Sequence, residues 1–204
     1  MNLDTTHLLA IAAAMGWASG LRLYAVLFIT GMAGQLGWVS LPSGLSILQH
    51  PIVLGVSGVM LVIEFLADKI PGLDTLWDAV HTFIRIPAGA ALAAAVLGGD
   101  STTWATAAAL MGGTLAATAH TAKATTRAAA NTSPEPFSNI GLSLLGDAAV
   151  PGMLWLAWNE PLWFFVALGL ALALAITVTW MLWRFLRGLW SRFTGGTRTP
   201  VLRT

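Results

Sequence analysis

The sequence predicts an all-α fold: a polytopic transmembrane helix bundle of about six spans with a broken first helix. Three observations carry that expectation. Only 9% of the 204 residues are charged and 56% are hydrophobic, whereas soluble domains carry about 25% charged residues, so lipid is the expected solvent. Apolar runs near the roughly 20 residues that a membrane-crossing helix needs recur along the chain. The basic residues collect in alternate connections, and the ten tryptophans suit the boundary between headgroups and hydrocarbon.

In chain order the spans cover approximately residues 7–37, 51–67, 74–98, 103–130, 138–158 and 162–186. The first is too long for one straight helix and holds Gly16, Ser19 and Gly20 just before Arg22, so a break is expected near Gly20. No Lys or Arg precedes its apolar run, as a cleavable signal peptide would require, and the segment is expected to be retained. Pro42 and Gly44, the pair Pro71-Gly72, Asp100, the run Pro134-Glu135-Pro136, and Asn159 to Pro161 mark the connections. SPEPFSN reads as a rigid turn capping the fifth span through Ser138 or Asn139. Pro87 and Pro151 read as kinks or first-turn prolines, and His7 and His50 as interfacial residues. Glycine and alanine crowd spans three and four, and small residues let helix backbones approach closely, so these two are expected at the centre. Three spans per half would make an inverted 3+3 arrangement, although no sequence repeat supports one. Residues 1–186 form a single transmembrane domain in this reading, and 187–204 a basic, partly disordered cytoplasmic tail.

If the six spans alternate, one side holds nine of the ten basic residues and the other holds Asp100 and Glu160 with no Lys or Arg. Excess Lys and Arg stay in the cytoplasm, which places both termini there. The net charge of +1 offers no clustered basic face, and a nucleic-acid partner is not expected. With no cysteine, disulfides and thiolate chemistry are excluded. No zinc-protease spacing, nucleophile elbow or phosphate-cradling glycine loop is present, so neither an enzyme nor a cofactor is expected.

The informative stretch is EFLADKIPGLDTLWDAVHTFIRIPAGA, residues 64–90. Asp74, Asp78, His81 and Arg85 follow i, i+4, i+7 and i+11, and at about 100° per residue they share one helix face. His120, Lys123, Arg127 and Asn131 make a second stripe, Glu64 and Asp68 an i, i+4 pair, and Asn139, Ser143 and Asp147 a four-residue repeat. A charge facing lipid costs roughly 2.5–3.5 kcal/mol on insertion scales, so the four polar faces are expected to meet inside the bundle.

The long charged stretch, with SGLRLY at 19–24, HTAKATTRAAANTSPEPFSN at 120–139 and LLGDA at 144–148, resembles the signature of a family of uncharacterised bacterial membrane proteins, the domain-of-unknown-function family DUF4126. The resemblance covers about residues 19–183 and implies a polytopic membrane fold in the bacterial cytoplasmic (inner) membrane, with no activity attached.

Two readings of the cluster follow from its residues. In the first, Glu64, Asp68, Lys69, Asp74, Asp78, His81, Arg85, His120, Lys123, Arg127, Asn131, Asp147 and Arg22 line the path of an ion or small charged solute through a transporter or channel-like protein. His81 and its neighbouring acids are then the titrating element. Asp74, Asp78 and His81 are the candidate ligands if a metal binds; Lys69, Arg85, Lys123 and Arg127 would clamp a phosphate or carboxylate. In the second, the cluster is a salt-bridge lock or docking site in a non-transporting assembly protein. Arg22 is read as an intramembrane ion-pair partner in preference to a cytoplasm-facing residue of a re-entrant segment. Beyond the lipid bilayer and the solute, a homo-oligomer is the remaining partner considered.

Overall fold

The structure, a computed structural model, describes residues 3–70, 72–99, 101–132 and 137–194. Its elements are α1 (Thr5–Gln35), a short 3-10 helix (Ser43–Gln49), α2 (Pro51–Ala67), α3 (Leu73–Leu97), α4 (Thr102–Ala130), α5 (Phe137–Asn159) and α6 (Pro161–Thr194), with no strand among the described residues. Local chemistry sets the ends. Asp4 caps α1 by accepting from the His7 N–H at 2.9 Å. His50 caps α2, whose first residue is Pro51, a place where the missing N–H costs nothing. Gly72 turns the chain into α3 at φ 87°, a left-handed conformation that favours glycine.

Several expectations change here. Pro87 and Pro151 stand inside α3 and α5 and not in their first turns. Because α5 starts at Phe137, Ser138 and Asn139 lie within the helix and not at its cap. The helix α6 continues to Thr194, taking in the head of the segment expected as a tail. Pro71, Asp100, the turn at 134–136, and 195–204 with Arg198 and Arg203 lie outside the described residues.

Among the described residues four helices are long and apolar enough to cross a membrane, α3, α5, α6 and, counted as one 31-residue helix, α1. With 17 residues, α2 reaches that standard only together with the 3-10 helix, across a 70° bend. Although 29 residues long, α4 falls short of it, being rich in threonine and carrying His120, Lys123 and Arg127.

The break expected near Gly20 falls at Arg22, whose backbone is non-helical at φ −148° and ψ 80°. Contacts on either side show what the break does. Before it, Gly16 lies on Gly112 and Gly20 on Ala116, while Leu21 accepts a hydrogen bond from Lys123, so this limb runs in the same sense as α4. After it, Arg22 meets Ser143, Thr30 and Leu154 line one small cavity, and Ser40 accepts from Trp158, so the second limb runs with α5. The link from Asn131 to Asn139 closes α4 against α5, which run in opposite senses. The helix α1 is therefore a hairpin that reverses at Arg22. Its limbs, residues 5–21 and 23–35, are roughly 25 and 20 Å long at 1.5 Å per residue, short of the roughly 30 Å hydrocarbon thickness. Thr5 and Gln35 then share the bundle end with Ser101 and Asn159, while α6 runs to the opposite end. Among the described residues, Thr5 and the C-terminal end of α6 thus lie at opposite ends of the bundle, whereas six alternating spans would bring them to one end.

The centre of the bundle also differs from expectation. Although α3 and α4 pack on each other most extensively, α1 is the buried core: 78% of its most apolar stretch is buried, against 33% for α3. Gly16, Gly89 and Gly112 bring three backbones together. A Cβ on Gly16 would stand 2.5 Å from Gly112 Cα, and one on Gly112 would stand 2.6 Å from the Gly89 carbonyl oxygen. Such contacts are where small residues substitute for a hydrophobic driving force between helices.

Two outcomes are expected. Single cysteines replacing Thr5 and Ser43 should react with an impermeant thiol reagent from one membrane face and one replacing Thr132 from the other; Thr5 and Thr132 reacting from the same face would refute the hairpin. Gly112→Val should cost about 1–3 kcal/mol or more through overpacking, read as a lowered detergent melting temperature, whereas Gly141→Val, where a Cβ meets nothing within 4 Å, should not.

Candidate functional site

The polar stripes converge around the hairpin tip. From α3, Asp74, Asp78, His81 and Arg85 are all buried, as their shared helix face required; α2 contributes Glu64 and its C-cap residue Asp68, each 0% exposed. Two sets of atoms meet at Arg85, whose Nη2 pairs with Glu64 Oε1 at 2.7 Å and Nη1 with Asp78 Oδ1 at 2.6 Å. Lys123 of α4 bridges Asp78 and Asp68, at 3.1 Å each. Arg127, one turn on, reaches Asp68 and Asp74, both at 3.2 Å, and donates to the Asp68 carbonyl at 3.0 Å. That last bond satisfies one of the carbonyls a helix leaves unpaired at its C-terminus.

Arg22 connects this group to α5. Its Nη1 stands 2.9 Å from Asp68 Oδ2, its Nε 2.9 Å from Asp147 Oδ1, and its Nη2 donates to Ser143 Oγ at 2.8 Å. The Nη1 contact is an ion pair without hydrogen-bond alignment; at this distance and burial the Coulomb attraction holds without it. Lys69, in the connection between α2 and α3, lies 3.5 Å from Asp147 and over the Phe65 ring. Burial holds its ammonium below the ordinary lysine range, with Asp147 opposing the shift.

The result is an alternating chain of charge, Glu64 to Arg85, Asp78, Lys123, Asp68, Arg22, Asp147 and Lys69, with Arg127 and Asp74 as a branch. Five acids meet five bases, so the group is neutral as a whole. Arg22, at the hairpin tip, is the fifth base.

The remaining residues take narrower places. Asn131 donates to Thr75 Oγ1 at 3.0 Å and accepts from Asn139. His120 bonds Thr82 Oγ1 at 2.7 Å through Nε2, and its Nδ1 faces Arg85 Nη1 at 3.3 Å. His81 is fixed by two contacts: Nδ1 donates to the Trp77 carbonyl at 2.8 Å, leaving Nε2 to accept from the Tyr24 hydroxyl at 3.3 Å. Its ring stacks on Trp77. The metal set Asp74, Asp78 and His81 is not brought together. Asp74 turns to Arg127 and the N–H groups of Gly72 and Thr75, Asp78 to Arg85 and Lys123, and His81 to Tyr24. No group of three His, Asp or Glu among the described residues is arranged to hold a metal ion. Tyr24, Trp77 and Thr82 were not anticipated as site residues; Tyr24, the chain's single tyrosine, sits two residues past the break and was the readable signal.

One side of the network is open. Arg22, Asp68, Lys123 and Arg127 form the end wall of a cleft of about 750 Å³ between α1, α4, α5 and α6, whose other walls are apolar apart from Thr126 and Ser143. The domain of unknown function DUF4126 matches residues 9–181. The chain belongs to the DUF4126 family. The matched stretch contains every charged residue of the network and nearly all of the hairpin, so in this DUF4126 member the site and the family domain coincide. Neither the curated proteins nor the solved structures contain a match to the chain.

Removing one partner of a buried pair leaves an uncompensated charge, which costs roughly 3–5 kcal/mol. Asp68→Ala removes the acid that Arg22, Lys123 and Arg127 share and leaves the network one negative charge short, so it should lower the detergent melting temperature by the most. Glu160→Ala, on an exposed connection, should stay within about 0.5 kcal/mol of the parent.

Proposed function

We propose that this protein is a non-enzymatic carrier in the bacterial inner membrane, with the charged network as the site for an ion or small charged solute. The carrying observation is the union of two features: a re-entrant helical hairpin whose tip is a buried arginine, and a cleft that ends on that arginine and its partners. Broken or re-entrant helices are tolerated at membrane depth where they are buried in protein or line a cavity, and in transporters such breaks hold the substrate. In this reading the 3-10 helix with α2, and then α3 to α6, make five crossings beside the hairpin. The eight Lys and Arg among the described residues then fall toward one side, because the hairpin returns Arg22 to it. Excess positive charge in cytoplasmic connections places that side, with the C-terminus, in the cytoplasm and Thr5 outside.

A second reading keeps one observation of its own. All ten charged groups have an opposite charge within 3.5 Å, which is what a structural lock or an assembly protein's docking site would also need. Flux separates the two. Purified protein in liposomes should pass protons, a monovalent or divalent cation, or a small anion, and His81→Gln should alter the pH dependence of that flux with the fold retained. Absence of flux for all four classes would discard the carrier in favour of the lock.

A further inference from the structure

The cleft is built for a more specific occupant than a hydrated ion. Its long walls are apolar: Trp17 from α1, Ala149 and Leu156 from α5, Leu174 and Val178 from α6. From Ser143, beside the network, to Leu156 it follows 13 residues of α5, roughly 20 Å at 1.5 Å per residue. That suits an extended alkyl chain and offers a small inorganic ion nothing to bind along most of its length.

The end wall is cationic toward the cleft. Arg22, Lys123 and Arg127 face it with Asp68 as the single acid. The acids that balance the network, Glu64, Asp74 and Asp78, come from α2 and α3 and do not line it. Arg22, with 1% of its surface exposed, is held at that wall by ion pairs with Asp68 and Asp147, each at 2.9 Å. Arginine favours phosphate and carboxylate oxygens for the geometry of its donors.

The way in is sideways. Leu145, Trp155 and Leu174 belong to the lining and are 68%, 60% and 65% exposed, so the cleft opens between α5 and α6 toward the surroundings of the bundle. A ligand with a long apolar tail would reach it from the bilayer without passing through water.

We propose that the cleft binds a membrane amphiphile with an anionic phosphate or carboxylate head, its head against Arg22, Lys123 and Arg127 and its tail along α5 and α6. The inference deepens the carrier reading by naming a ligand class for the same site, and its test reads binding without flux.

The probe is dodecyl phosphate, titrated into full-length protein in a neutral maltoside detergent and followed by native mass spectrometry and calorimetry. One equivalent should bind saturably. Dodecanol should bind about tenfold or more weakly, the factor that one hydrogen bond to a charged group contributes, and inorganic phosphate at equal concentration should not compete. Gly152→Trp fills the cleft, since a Cβ there meets nothing within 4 Å, and leaves the network intact; it should abolish binding with the melting temperature unchanged. Lys123→Met should weaken dodecyl phosphate and leave dodecanol unaffected. Equal affinity for dodecanol and dodecyl phosphate, full competition by inorganic phosphate, or unaltered binding to Gly152→Trp would each overturn the proposal. Binding of this pattern in a protein that shows no flux supports it and removes the carrier; flux of an ion by a protein that fails to bind dodecyl phosphate does the reverse.

Discussion

A helix interrupted where it is buried must find partners for the carbonyls it releases, and the arrangement of this protein depends on how the break at Arg22 meets that need. Ser19 and Arg22, on either side of it, are 0% and 1% exposed. The Leu21 carbonyl is taken by Lys123 of α4, so the break sits where α4 lies alongside. Glycine and alanine at the α1–α4 crossing bring the two backbones close enough for that reach. Packing and hydrogen bonding are thus one problem at this point of the fold.

Satisfying the backbone imports charge, and the imported charge dictates the rest. Lys123 and Arg22 both need acids, and Asp68 serves both while closing α2, a helix end where a negative residue is ordinarily unfavourable. Three cations around one carboxylate offset that penalty and leave a surplus that Asp74, Asp78 and Asp147 absorb from neighbouring helices. Glu64, Asp68 and Asp74 sit at or near the ends of α2 and α3, Asp78 one turn further in and Asp147 in the middle of α5, so the network ties five helices together around the hairpin tip. Among the described residues the opposite half of the bundle carries no comparable charged group and is held by Ala, Leu and Gly contacts.

Much of this was legible in the sequence for reasons that can be named. The spacing of Asp74, Asp78, His81 and Arg85 fixed a face, and the cost of exposing that face to lipid fixed its direction; all four are buried. The glycine-rich segment before Arg22 announced a break. What the sequence could not reveal was the angle of the break, since a kinked span and a hairpin share the same apolar pattern and differ only in which neighbours the second limb meets. The six-span count and the location of the N-terminus depended on that angle. The ion-pair reading of Arg22 and its re-entrant alternative were weighed as rivals, yet the hairpin satisfies both, because its tip is where the acids are. The candidate metal set shows a different limit: helical spacing says that Asp74, Asp78 and His81 lie along one face, but not that each is claimed by a separate neighbour.

The separation between Arg22 and its partners along the chain bears on the order of assembly. Ser143, which accepts two hydrogen bonds from Arg22, is made 121 residues after it. Until α2 and α5 exist, the arginine has no acid to meet, and neither limb of α1 is long enough to cross a bilayer unaided. The helix α1 therefore precedes in the chain the shell that encloses it, and its central seat is complete only once α2 and α5 have been made.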